Sequence, residues 1–153
     1  MPTQLVPEGF AAMPLDGSFN DAFAPVYFRM GEDGPKVGLK VEDKHLNPMG
    51  ICHGAVYMAL FDIAFACAIG HVIGKYTGTP TMNINIDFMT ASKSGEWLIV
   101  DANCLKTTRT AGFTQGKIMC GDTVKASGSG IFRIPDDIAN ARSMGDGRLP
   151  GAS

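Results

Sequence analysis

The chain has no excess of positive charge. Its 13 Lys and Arg stand against 15 Asp and Glu, a formal net charge of -2 over 153 residues. That is too little basic field to hold nucleic acid by neutralising phosphates, and no polybasic run reaches for anionic lipid. The start, Met1-Pro2-Thr3-Gln4-Leu5, lacks the basic head and apolar centre of a secretion signal, and no stretch of 18 or more apolar residues runs free of charge. A cytoplasmic protein is expected, with neither nucleic acid nor membrane as partner. The four cysteines, Cys52, Cys67, Cys104 and Cys120, form no CxxC pair. This argues against a zinc ribbon or a dithiol redox site and leaves them as reduced packing residues. His45 and His71 have no partners at ligand spacing, so no metal site is expected. Internal repeats are absent too.

What is present, 45% hydrophobic and 18% charged residues, is the composition of one soluble domain. Residues 1–24 carry Pro2, Pro7, Pro14, Gly9 and Gly17 and read as an irregular arm. Residues 25–135 read as a single domain, and 136–153 as a flexible tail. Within the domain, Val26 to Met30 and the alternating Val37, Leu39 and Val41 predict two strands joined by a hairpin over Gly31 to Gly34. His53 to Ile73 is the one long helical candidate, apolar around nearly its whole circumference and therefore expected to be buried. Strands follow: Met82, Ile84, Ile86 and Phe88 alternate against Thr81, Asn83, Asn85 and Asp87, and three more runs lie between short turns. Short links make antiparallel neighbours. An α+β fold results, an antiparallel β-sheet wrapped around one central α-helix.

Asp62 is the only charged residue between Gly54 and Gly70. Burying an ionised carboxylate costs several kcal/mol unless a partner or hydrogen bonds offset it. Asp62 is thus either solvated at a gap in the sheet or held in a dry cleft, where it can act as nucleophile or general base. Ahead of the helix, Asn47-Pro48-Met49-Gly50 has turn residues in type I positions. That turn aims the chain into a helix start whose free N–H groups and partial positive charge suit a carbonyl oxygen. Gly54 there either admits a substrate close to the backbone or merely eases helix entry. His53 is a cap, a satisfied core group or an orienting residue, and Asn47 is a turn residue or a holder of water. Cys52 beside His53 suggests a Cys/His pair, but neighbours in sequence point apart, and packing is the better reading. Gly54 and Asp62 are eight residues apart, about 12 Å along a helix. They cannot both reach one carbonyl group, so a shared substrate requires Asp62 from a second, antiparallel copy, as a two-fold dimer supplies.

Asn47-x-x-Gly50-x-x-His53-Gly54 with Asp62 nine residues after His53 resembles the PaaI-type acyl-CoA thioesterases of the hotdog-fold superfamily. The likeness runs from about His45 to Ile134, and Ala55 stands where relatives usually have a second glycine. The resemblance implies the hotdog fold, homodimers joined edge to edge and often paired into homotetramers, and hydrolysis of an acyl-CoA without any cofactor beyond the CoA of the substrate. It assigns Asp62 as catalytic carboxylate, Gly54 as the backbone donor to the thioester carbonyl, and Asn47 as the residue placing water or thioester. His53 becomes the orienting neighbour, and Thr81 supplies a hydroxyl near the carboxylate. Met82 is a candidate for the acyl channel, as are the arm's Phe residues, with core packing the default for each. Lys106 and Arg109, flanking a turn, are candidates for the CoA phosphates or are simply exposed charges. Two other readings keep the fold: an acyl-CoA-binding protein without turnover, and a dehydratase or hydratase.

Overall fold

The computed structural model describes residues 5–76 and 78–136; the tail from residue 137 and the first four residues lie outside them. The described residues hold seven strands: β1 (Ala11–Ala12), β2 (Tyr27–Gly31), β3 (Gly34–Lys40), β4 (Thr81–Phe88), β5 (Trp97–Thr107), β6 (Ala111–Cys120) and β7 (Thr123–Arg133). They form one sheet in the order β1-β2-β3-β5-β6-β7-β4, antiparallel at every pairing. The hairpin closes with Gly31 opposite Gly34, as its turn residues predict. The arm contributes two short elements, strand β1 on the edge of β2 and a 3-10 turn over Phe19–Phe23.

The helix α1 (Gly54–Ile73) ends where Gly74 takes the left-handed conformation that a Cβ would strain, φ 73°, and donates its N–H to Gly70 O. It is long and apolar enough to cross a membrane, but most of it is buried against β3, β5 and β6. Its aromatic residues sink into a trough of small residues on the inner face of β6 and β7. A Cβ at Gly112 would stand 2.7 Å from Ile69, one at Gly128 3.3 Å from Phe61, and one at Gly130 2.9 Å from Phe65. Phe61 and Phe65 stack at 5.1 Å, Phe132 meets Phe65 edge-on, and all three rings are fully buried. Truncating one such ring to Ala costs about 3–5 kcal/mol.

The expectation of burial all round does not hold for the whole helix. Gly54, Met58, Asp62 and Ala66, four residues apart and so on one stripe, are incompletely covered, with Ala55 and Ala59 beside them; Met58 is 50% exposed. Among the described residues no element lies over this stripe. Next to it β4 forms one edge of the sheet, bonded among the described residues only to β7, with Met82 and Phe88 more than half exposed.

Candidate active site

The helix start is built by local hydrogen bonds. Asn47 O accepts from Gly50 N–H at 2.9 Å, and Gly50 sits at φ 77°. Asn47 Oδ1 accepts from the N–H groups of Met49 (3.0 Å) and Ile51 (3.3 Å), so its amide NH2 is the end left to face the site. His53 is the N-cap. Its Nδ1 accepts from Ala55 N–H at 2.9 Å, which puts the proton of the neutral ring on Nε2, directed away from the helix. His53 N–H donates to the carbonyl of His45, 2.8 Å away. Gly54, the first helical residue, has no helical carbonyl to receive its N–H.

Gly54 also lines a cavity of about 290 Å³, together with Asn47, Ile51, Cys52, Tyr57 and the segment Phe88 to Ala91. Phe88 lies over the helix start, its ring 3.5 Å from where a Gly54 Cβ would be, and meets Tyr57 edge-to-face. A larger cavity on the outer face of the sheet is lined by polar side chains from β4 to β7, remote from the helix.

Asp62 is only partly buried in the single chain, so one copy alone does not enclose it in a dry cleft. Its carboxylate accepts from the Thr81 hydroxyl at 2.5 Å. Strict alternation would put Thr81 with Asn85 and Asp87 on the outer face; a register shift between Thr81 and Asn83 turns it to the helix. Asp62 and Thr81 are therefore together, as are Asn47, His53 and Gly54, and the two groups lie about 12 Å apart along the helix axis. Met82 is on the exposed edge strand and does not line the cavity. Of the arm's phenylalanines, Phe23 packs against the core and Phe10 lies against Gly38 and Arg29, neither of them in the cavity wall. Lys106 is exposed, and Arg109 pairs with Asp136 at 2.9 Å. Both belong to the β5–β6 hairpin end, where Gly112 meets Ile69 in the last helical turns.

This fold and helix start have known counterparts. Residues 49–127 match the thioesterase superfamily. The chain belongs to that superfamily. It is 28% identical over 115 residues to human acyl-coenzyme A thioesterase 13, covering 73% of this chain and 80% of the relative. Zebra fish thioesterase superfamily member 2 superposes with a TM-score of 0.70 at 25% identity, over 78% of this chain and 88% of that one. The phenylacetic acid degradation protein PaaI of Thermus thermophilus, solved as a mutant, shares the fold with a TM-score of 0.67 at 19% identity, over 76% of this chain and 98% of its own. The sheet around one helix is the hotdog fold, as the Asn47-to-Asp62 spacing led us to expect.

Four groups near the cavity were not legible as site residues. Tyr57 OH and Ser92 Oγ share a 2.5 Å hydrogen bond, both side chains buried. Lys125 and Glu96 form a largely buried ion pair at 3.1 Å. Only a lone lysine within an otherwise uncharged run, Thr123 to Phe132, hinted at the second pair. Cys52 does not form a Cys/His pair: its thiol points to the His53 carbonyl, 3.8 Å away, and burial followed by the nearby Glu96 charge pushes it up to about 11.

Proposed function

We propose that this chain hydrolyses an acyl-CoA thioester, with an aromatic or medium-chain acyl group, at sites shared between two copies of itself. The observation that carries the reading is the uncovered helix stripe, which holds a donor at Gly54 and a carboxylate at Asp62 too far apart for one substrate. Pairing the free β4 edge with that of a second copy would continue the sheet and bring two such stripes together antiparallel, so each Gly54 would meet the other copy's Asp62. Small residues at 55, 59 and 66 let the helices approach closely. The name of the human relative supports acyl-CoA as substrate, and the PaaI likeness suggests an aromatic acyl group.

In the proposed reaction the thioester oxygen accepts from Gly54 N–H, assisted by the partial positive charge of the helix start, and negative charge builds there as the carbonyl becomes tetrahedral. Asp62 of the other copy either takes a proton from the attacking water or itself attacks the carbonyl to form an anhydride that water then hydrolyses; the CoA thiolate leaves in both cases and is protonated. The Thr81 hydroxyl holds one carboxylate oxygen and leaves the second for chemistry. Asn47, through its free amide, positions the thioester or water, and His53 orients through Nε2–H. Lys106 and Arg109 lie near the helix end, about 22 Å from Gly54 of their own chain at 1.5 Å per residue. In the antiparallel pair they would serve the CoA phosphates of the neighbouring copy's site.

Thiol release from a panel of aromatic, short, medium and long acyl-CoAs tests this, comparing the natural protein with Asp62→Asn. The substitution keeps size and hydrogen bonding, and is expected to lower turnover by about 10²–10⁴ with folding and assembly intact. Equal turnover by both proteins would remove Asp62 from the chemistry. Acyl-CoA binding without turnover by either would favour a binding protein, and a dehydratase or hydratase would release no thiol.

A further inference from the structure

Lys125 is the extra residue of a β-bulge. Ile118 faces Ala126 and Met119 faces Val124 across the β6–β7 ladder, which leaves Lys125 without a partner. Such an insertion re-aims a side chain, and the Lys125 side chain is only 6% exposed, where alternation along β7 would send it to solvent. Its ammonium donates to Ala91 O at 2.8 Å and to Glu96 Oε1 and Oε2 at 3.1 and 3.4 Å. Its backbone carbonyl accepts from Met89 N–H (2.9 Å) and Thr90 N–H (3.1 Å). One residue thus holds three successive residues, Met89, Thr90 and Ala91, and these form the cavity wall opposite Gly54. The residue that follows, Ser92, is tied to the helix by Tyr57 OH and to the turn before it by Cys52 N–H, which donates to Ser92 O at 2.8 Å.

A buried ammonium is costly unless all its donors are met. Here they are met by a loop carbonyl and a carboxylate. Desolvation opposes the charge on Glu96, but the Lys93 N–H and the Lys125 ammonium more than offset it and hold its carboxyl below the ordinary range. A plain apolar residue at 125 would fill the space without fixing Ala91.

We propose that Lys125 is a positioning residue for substrate selection: its bulge and ammonium, locked by Glu96, set the Met89–Ala91 wall of the cavity beside Gly54 and so determine which acyl-CoAs fit. It rests on the hydrolase reading above. Lys125 touches no reacting atom, so its loss acts on binding that is common to ground and transition states.

The test is steady-state thiol release over the acyl-CoA panel by the full chain and by the double variant Lys125→Met/Glu96→Gln, which removes both charges at similar volume. The expected result is KM raised about fivefold or more for the best substrate with kcat within about twofold, and a flattened preference across acyl chains. A folded double variant with unchanged KM and preference overturns the assignment, as does a fall in kcat alone. Should the double variant not fold, Ser92→Ala releases the Tyr57 tie on the same wall, and the same split in KM at smaller size is required of it. If the natural protein releases no thiol, the hydrolase reading fails and this one with it; an active natural protein with unaltered variants overturns Lys125 alone.

Discussion

The two ends of the candidate site are built to different degrees. Around Gly54 the framing residues are held in place by local hydrogen bonds. Asn47 closes its own turn, His53 caps the helix, His45 holds His53, the Met89–Ala91 wall is tied to Lys125, and the next residue, Ser92, to Tyr57. Around Asp62 the described residues provide one hydroxyl, that of Thr81, and then an incompletely covered stripe of Met58, Ala59 and Ala66 beside a strand edge that none of them pairs. A donor site that must be rigid is completed within one chain. The carboxylate, which on the proposed reading belongs to the neighbour's reaction, is left for assembly to enclose.

The largest effect should come from separating these two ends genetically. Asp62→Asn and Gly54→Pro are each expected to abolish most turnover. Proline suits Gly54 because it is the first helical residue, needs no helical N–H there, and follows His53 at φ -62° and ψ 136°, an extended pairing that proline prefers. The helix should form while the carbonyl loses its donor, a loss of about 10²–10³ in kcat. Unfolding and refolding the two variants together should restore about a quarter of natural activity, since half the dimers would be mixed and each would hold one intact site. A mixture as inactive as its parents would mean that both groups serve one chain's own site.

Much of the welded end could be read in advance, because its signals are local. Asn-Pro-x-Gly made a turn, the apolar run made a helix, and the odd and even residues of β4 sorted by face. Thr81 and Lys125 could not be placed this way. Both sit at irregularities in the ladder that invert alternation, and a bulge depends on how two strands meet, not on either strand's own residues. The exposure of the Asp62 stripe was hidden for a related reason: hydropathy describes what a helix can bury, and the order of strands decides which face the chain covers.

A smaller, graded effect should mark the welded end. His45 is buried, accepts from Glu42 N–H through Nδ1 at 2.9 Å and donates through Nε2 to Phe23 O at 3.1 Å, so it must be neutral to keep both bonds. Burial, reinforced by Lys44 and opposed by the Phe23 carbonyl and Glu42, holds its imidazole below the usual histidine range. A depressed folded value means that its contribution is full above about pH 6.5 and is lost as the pH falls from there through the folded value. Melting temperature followed from pH 8 to 5 should be flat at first and then decline, and His45→Gln should lower the plateau but reduce the decline. An unaltered slope in the variant would place the acid-sensitive group elsewhere.

The weakest response should be chemical, at Cys52, which sits in the cavity wall beside the site. A thiol pushed up to about 11 is about one part in a thousand thiolate at pH 8, and its hydrogen-bond partner is the His53 backbone carbonyl. Cys67, fully buried and pushed up to about 12, should be equally inert. Peptide mapping after brief iodoacetamide treatment of the native protein should find both unmodified, with thiol release preserved. Rapid labelling of Cys52 with loss of turnover would reverse the comparison, because the helix start would then carry a nucleophile of its own and would no longer need the carboxylate at the other end.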